Sequence, residues 1–188
     1  MSKVTTDMIR NIALIGHSGE GKTSLAEAML FNAKSIDRLG KVEDGNTTMD
    51  FDAEEINRKI SISLAVAYAN WKGNKINILD CPGFFDFEGE VVSALSVADS
   101  AIIVTSASGS LSVGTEKMLE MCTDRKVPAM VFINQVNKDN ADFRGTYNAI
   151  EQAFGSKVLP IELPVIEGGK MTGWVDILTG KAMSLIHI

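Results

Sequence analysis

Residues Gly16-His-Ser-Gly-Glu-Gly-Lys22-Thr23 match the pattern G-x-x-x-x-G-K-[S/T] at every fixed position. The pattern is informative only between a strand and a helix, where it forms a phosphate-binding loop. That context is present. Arg10-Asn-Ile-Ala-Leu-Ile-Gly16 is a short apolar run that reads as a buried first strand, and Thr23–Asn32 reads as a helix with Leu25, Ala28 and Met29 on one face. Glycines let the backbone curl so that successive N–H groups converge on phosphate oxygens. The helix N-terminus adds unpaired donors and a favourable dipole. Ser18, Gly19, Glu20, Gly21 and Ser24 are expected to contribute through this backbone. Lys22 brings a mobile cation to the β- and γ-phosphates, and Thr23 offers a hydroxyl to Mg²⁺. The spacing asks nothing of the side chains of His17 and Glu20, which are expected to face solvent. The competing reading, a glycine-rich turn that binds nothing, is disfavoured by the complete pattern in its required context.

Strand and helix signals alternate downstream, as in an α/β sheet with helices on both faces. Lys34–Lys59 is polar and weakly periodic and reads as a long functional loop. Ile60–Tyr68 alternates strictly and predicts a half-buried strand, turned at Lys72-Gly73-Asn74 into an antiparallel partner at Ile76–Leu79. Helices are predicted at Glu90–Ala98, Thr115–Arg125 (Met118 and Cys122 on one side) and Ala141–Phe154. Buried strands are predicted at Ala101–Thr105 and Ala129–Ile133. Val158–Pro164 and Trp174–Leu178 read as strands of a small appendage.

With 188 residues, 45% hydrophobic and 22% charged, the chain suits one domain with a sizeable core. A net charge of −6 excludes a global basic field, so direct DNA binding is not expected. Cys81 and Cys122 lack paired metal spacing and suit reduced thiols in the cytoplasm. Met1–Arg10 lacks the apolar stretch of a signal peptide, and no apolar run reaches membrane-spanning length.

Ile76-Asn-Ile-Leu-Asp80 is a strand ending in an acid, followed by Cys81-Pro82-Gly83. In P-loop enzymes an acid here helps hold Mg²⁺, and a glycine at position 83 frees an amide for the γ-phosphate. Alone, D-x-P-G is a common turn; after a P-loop it singles out the GTPase branch.

On these motifs the chain resembles the N-terminal G domain of elongation factor G and, more closely, its elongation-factor-G-like paralogues. Gly40–Asp50 looks like the stretch ahead of switch I, and Arg58-Lys-Ile-Ser61-Ile resembles R-G-I-T-I. Asp80-Cys-Pro-Gly-Phe-Phe-Asp86-Phe87 resembles D-T-P-G-H-V-D-F. Asn134-Gln-Val-Asn137 resembles N-K-x-D, and Pro160–Pro164 with Gly173–Asp176 resembles the start of the family's insert. The resemblance implies a P-loop NTPase fold: a mostly parallel sheet flanked by helices, one antiparallel strand, and the start of a β-containing insert. Residues 1–157 would form the G domain, and 158–188 the beginning of the insert. It implies GTP or GDP with Mg²⁺ as ligand. Lys22 and Gly83 would act on the phosphates, Thr23, Ser61 and Asp80 on the metal, and Asn134, Gln135 and Asn137 at the base. It further implies a cytoplasmic, monomeric factor that meets the ribosome through domains beyond this stretch, and the chain reads as an N-terminal piece.

Three departures bear on activity. Phe84 stands where the family has its water-positioning histidine, and a phenyl ring has no donor or acceptor. Asn137 replaces the aspartate that accepts from both guanine N1–H and the exocyclic amine, so one donor would meet an NH₂ group. Gln135 replaces the lysine that packs over the base. Lys59 also replaces a glycine in switch I, while Ser61 keeps the hydroxyl of the usual threonine. Two functional readings therefore stand side by side: a translational GTPase, slow in isolation, and a non-catalytic nucleotide-binding module that works through partners. A P-loop kinase fits poorly with a long polar loop ahead of an antiparallel strand.

Overall fold

The computed structural model describes residues 4–185. Met1–Lys3 of the polar N-terminus and residues 186–188 of the expected insert lie outside the described residues. The chain divides into two compact units, Met1–Thr105 with Ser112–Phe132, and Ser106–Leu111 with Ile133–Ile188.

The first unit is built on a sheet ordered β2-β3-β1-β4-β5, with strands β1 (Ile9–Ile15), β2 (Ala65–Trp71), β3 (Asn74–Asp80), β4 (Ser100–Ser106) and β5 (Ala129–Asn134). β1 runs parallel to both β3 and β4, and β2 is the antiparallel edge strand. The pleat of β1 sorts its side chains between two cores. Leu14 joins Ile78, Ala65 and Ala69 under Ala26 and Leu30 of helix α1 (Lys22–Asn32). Ala13 and Ile15 join Leu79 and Ile103 under helices α3 (Glu88–Leu95) and α4 (Val113–Arg125). Helices thus cover both faces, as the alternating signals predict. The apolar face of α1 is centred on Ala26 and Leu30, with Leu25 and Met29 only on its flank.

Two expectations for residues 34–68 are corrected. The polar loop contains a short helix, α2 (Ala53–Arg58), started by a reciprocal capping box between Asp52 and Glu55. The alternating run does not begin a strand at Ile60, because β2 starts at Ala65. The amides of Ile62 and Ser63 donate to Glu55 at 2.9 and 3.0 Å, and that of Leu64 donates to Glu90 at 2.9 Å. Carboxylates take the donors that a sheet partner would otherwise have taken. The β2–β3 hairpin turns tightly through Lys72 and Gly73, both at positive φ (47° and 82°), which suits the right-handed twist of the strands.

The second unit holds helix α5 (Phe143–Phe154) and a separate antiparallel sheet, β6 (Glu162–Glu167), β7 (Lys170–Asp176) and β8 (Lys181–Ser184). β8 is exposed along its whole length. With no face to bury it shows no alternation, and the sequence gives no sign of it. The second sheet fits the family insert.

Candidate nucleotide site

The phosphate loop leaves β1 at Gly16 and enters α1 at Gly21. Gly16 has φ +143°, and a Cβ there would strike the carbonyl oxygen of Val104. The N-cap of α1 is Gly21, with no side-chain cap among the described residues, which suits the first amides of the helix to an anion. Ser18, Gly19 and Ser24 lie on the accessible side of this turn, and Glu20, Lys22 and Thr23 are buried. The Lys22 ammonium donates to the His17 carbonyl at 2.8 Å. Burial pulls its pKa below the usual lysine range, while Asp80 and Glu20 favour the charged form.

Asp80, at the end of β3, is 1% exposed, and neither carboxylate oxygen has a hydrogen-bonding partner among the described residues. Burial raises its pKa to about 7, against the influence of the Thr23 hydroxyl and the Lys22 charge. Thr23 Oγ1 lies 3.1 Å from Ser61 Oγ, which in turn donates to Asp50 Oδ1 at 2.8 Å. The structure therefore brings together Thr23, Ser61 and Asp80, from three separate elements. Two oxygens on adjacent corners of a Mg²⁺ octahedron stand about 3 Å apart. The all-oxygen set, the Thr23–Ser61 spacing and the unpartnered carboxylate fit a Mg²⁺ ion that keeps most of its waters.

Gly83 touches the loop. A Cβ on it would lie 2.5 Å from both Lys22 Nζ and the Ser18 amide nitrogen. Any side chain would push this turn off the phosphate loop. Phe84 and Phe85 follow, 39% and 42% exposed. The Phe85 ring lies under the Lys117 ammonium, 5.2 Å from its centroid, and Lys117 pairs with Glu88.

Several carboxylates that build the site escaped sequence reading. Glu27 of α1, 1% exposed, accepts the Thr48 amide at 2.5 Å and the Gly40 amide at 3.2 Å, which holds residues 40–48 against the helix. Glu55, 2% exposed, fixes residues 62 and 63 and so presents Ser61 to Thr23. The D-x-x-E spacing of Asp52 and Glu55 is a capping-box signature that could have found it. Glu27 has no such signal. The solvent-facing expectation fails for two residues. Glu20 is 5% exposed and accepts the His17 amide at 2.9 Å, because a cluster of hydroxyls offers it better partners than water. His17 is half-buried, and its Nδ1 is sealed from solvent beside Gly114. Lys59 sits at φ +56° as the C-cap of α2, which accounts for the glycine usual at this place.

In the second unit, Asn134 ends β5 and its carbonyl accepts the Ala107 amide at 2.9 Å. Gln135 follows at φ +59°. An open cleft of about 580 Å³ is lined by Gln135, Asn137, Lys138 and Asp139 together with Ser106–Ser108. This places Gln135 and Asn137 on one cavity of a size that accepts small ligands.

A profile of the elongation factor Tu GTP binding domain matches residues 7–185. The chain belongs to this GTP-binding family of elongation factors. The chain is 35% identical to elongation factor G 1 of Treponema denticola over 96% of its length, and 40% identical to an elongation factor G-like protein of Mycobacterium tuberculosis over 85%. It is 37% identical to a mitochondrial ribosome-releasing factor 2 of Culex quinquefasciatus over 92%. A crystal structure of a Thermus thermophilus protein, 37% identical, superposes with a TM-score of 0.89 over 96% of this chain and 27% of that chain. The chain spans 22–26% of the length of these three curated relatives.

Proposed function

We propose that this domain binds GTP and GDP with Mg²⁺ as the switch of an elongation-factor-G-like factor that acts on the ribosome in the cytoplasm as a monomer. In this reading residues 1–157 form the G domain and 158–188 begin its insert. The observation that carries the proposal is the cluster of Lys22, Thr23, Ser61 and Asp80, whose carboxylate has no hydrogen-bonding partner among the described residues, together with the close approach of Gly83 to the loop. Thr23 and Ser61 would ligate Mg²⁺ directly and Asp80 would hold its waters, and the ion would neutralise charge on the β- and γ-phosphates. Lys22 and the loop amides bind the same oxygens. Gly83, close against Lys22, would report whether a γ-phosphate lies between them. Asn134, Gln135 and Asn137 would meet the base.

Calorimetric titration with GDP, GTP, XDP and ADP in Mg²⁺ tests the reading. Guanine nucleotides are expected to bind, and Lys22→Ala should abolish binding without unfolding the chain. Unchanged GDP affinity in that variant would remove the phosphate-loop assignment.

Phe84 favours a second reading, in which the domain binds nucleotide and signals to partners without hydrolysis. The ring is 39% exposed and has no group that can orient water or move a proton. Single-turnover hydrolysis of labelled GTP separates the two. The isolated chain should turn over at or near the detection limit, and Phe84→His alone should rescue little. Fast turnover would show that another group holds the water.

A further inference from the structure

The phosphate loop carries a buried carboxylate that its pattern does not require. Glu20 Oε2 accepts the His17 amide at 2.9 Å and the Thr115 hydroxyl at 3.4 Å. Its Oε1 accepts the Ser112 hydroxyl at 3.2 Å and the Thr105 hydroxyl at 3.5 Å. Ser112 is the N-cap of α4 and accepts the Thr115 amide, and the hydroxyls of Ser112 and Thr115 lie 2.8 Å apart. One side chain therefore fastens the loop to the end of β4 and to the first turn of α4. It also closes a ring within the loop itself, from residue 20 back to the amide of residue 17. The His17 amide, the shared hydroxyl network and the positive end of the α4 dipole make this buried anion tolerable. The same charge acts on Lys22, the cation assigned to the phosphates.

We propose that Glu20 is a positioning and selectivity residue of the nucleotide site: it fixes the loop in its binding curl, and its charge opposes each added phosphate charge, which restrains the preference for tri- over diphosphate. The proposal rests on the reading of Lys22 and Thr23 as phosphate and Mg²⁺ contacts. Like charges in a partly desolvated site repel more strongly than in water, so the effect must grow with the charge of the ligand. Glutamine can keep the loop shape without the charge. Its oxygen can accept the His17 amide, and its NH₂ can donate to the hydroxyl oxygens of Ser112 and Thr105.

The test is titration of the whole chain with fluorescent GDP and a non-hydrolysable GTP analogue in Mg²⁺, with thermal unfolding in parallel. The variants are Glu20→Gln, Glu20→Ala and the double variant Ser112→Ala/Thr115→Val, whose changes lie outside the phosphate loop. Glu20→Gln should bind both ligands at least as tightly as the native chain and raise the GTP-analogue to GDP affinity ratio by about threefold or more. Glu20→Ala should weaken both ligands about tenfold, the scale of one lost charge-assisted hydrogen bond. The double variant should weaken both by a smaller factor. Native affinities in Glu20→Ala, or an unchanged ratio in Glu20→Gln, would overturn the proposal. Should Glu20→Ala fail to fold, native affinity in the double variant would overturn it instead. A native chain that binds neither ligand would overturn the nucleotide reading and this proposal with it.

Discussion

Asp80 should be a liability in the ligand-free protein. Its carboxylate is buried without a hydrogen-bonding partner among the described residues, and its pKa is raised to about 7, chiefly by burial. A raised carboxylate pKa means that the folded form holds its proton more tightly than the unfolded form. The contribution of this group to stability is therefore complete below about pH 4, where both states are protonated, and is lost progressively until about pH 7. From the ordinary value of 3.8 to about 7 is some three decades of proton affinity, and at ~1.4 kcal/mol per decade the ionised group destabilises the folded state by about 4 kcal/mol. Asparagine mimics the protonated acid. Asp80→Asn should thus be more stable than the native chain by up to about 4 kcal/mol at pH 8, with the difference shrinking toward zero near pH 4. Urea unfolding in EDTA at pH 4.5, 6 and 8 measures this directly. The same variant should bind Mg²⁺–nucleotide more weakly, since it removes the anion that the ion would neutralise. An Asp80→Asn protein no more stable than native at pH 8 would refute the reasoning and show that the carboxylate finds a partner or water in solution.

Three further outcomes follow from single side chains. Glu55→Ala removes the acceptor of the Ile62 and Ser63 amides; hydrogen exchange at both should accelerate, with a local loss of about 2–4 kcal/mol at ~1–2 kcal/mol per bond, and unchanged protection would remove Glu55 from the control of Ser61. Lys59→Gly relieves a left-handed conformation and should raise the melting temperature, with a gain of about 1 kcal/mol; a lower melting temperature would mean that the Lys59 side chain stabilises switch I. Asn137→Asp should tighten GDP binding by about 1–3 kcal/mol in calorimetry, the scale of one satisfied buried polar contact, and unchanged affinity would place Asn137 away from the base.

Much of the fold was legible because its signals were local and agreed with one another. β1, the phosphate loop and α1 follow from an apolar run, a glycine pattern and a helical period that meet at one junction. The hairpin at Lys72-Gly73 was visible for the same reason. The region from 34 to 64 was not, because its order is imposed by distant carboxylates. Glu27 lies 13 and 21 residues before the amides of Gly40 and Thr48, and Glu90 lies 26 residues after that of Leu64. Alternation of apolar residues from Ile60 mimicked a strand, yet the first backbone donors of that run were already committed to Glu55 and Glu90. Glu20 was misread for a related reason. Its burial depends on three hydroxyls from β4 and α4, and no window around the motif contains them.

The departures from the family pattern fall unevenly, and the structure gives a physical reason. On the proposed reading the binding groups at the phosphate end are backbone amides, one lysine and small hydroxyls, all set by the curl from Gly16 to Gly21 and by the contact of Gly83. A substitution there disturbs geometry that many atoms share: a Cβ at Gly83 alone would collide with two parts of the loop. At positions 84, 135 and 137 the family relies on individual side chains to orient water and read the base. Phe84 is 39% exposed, Gln135 and Asn137 line an open cleft, and none of the three belongs to the two buried cores. On the proposed reading, a chain altered in this way would keep what phosphate and Mg²⁺ need and weaken what distinguishes one base from another or speeds hydrolysis. Response to the γ-phosphate through Gly83 would then survive, because on this reading it depends on the shape of a turn and on no proton-transferring group.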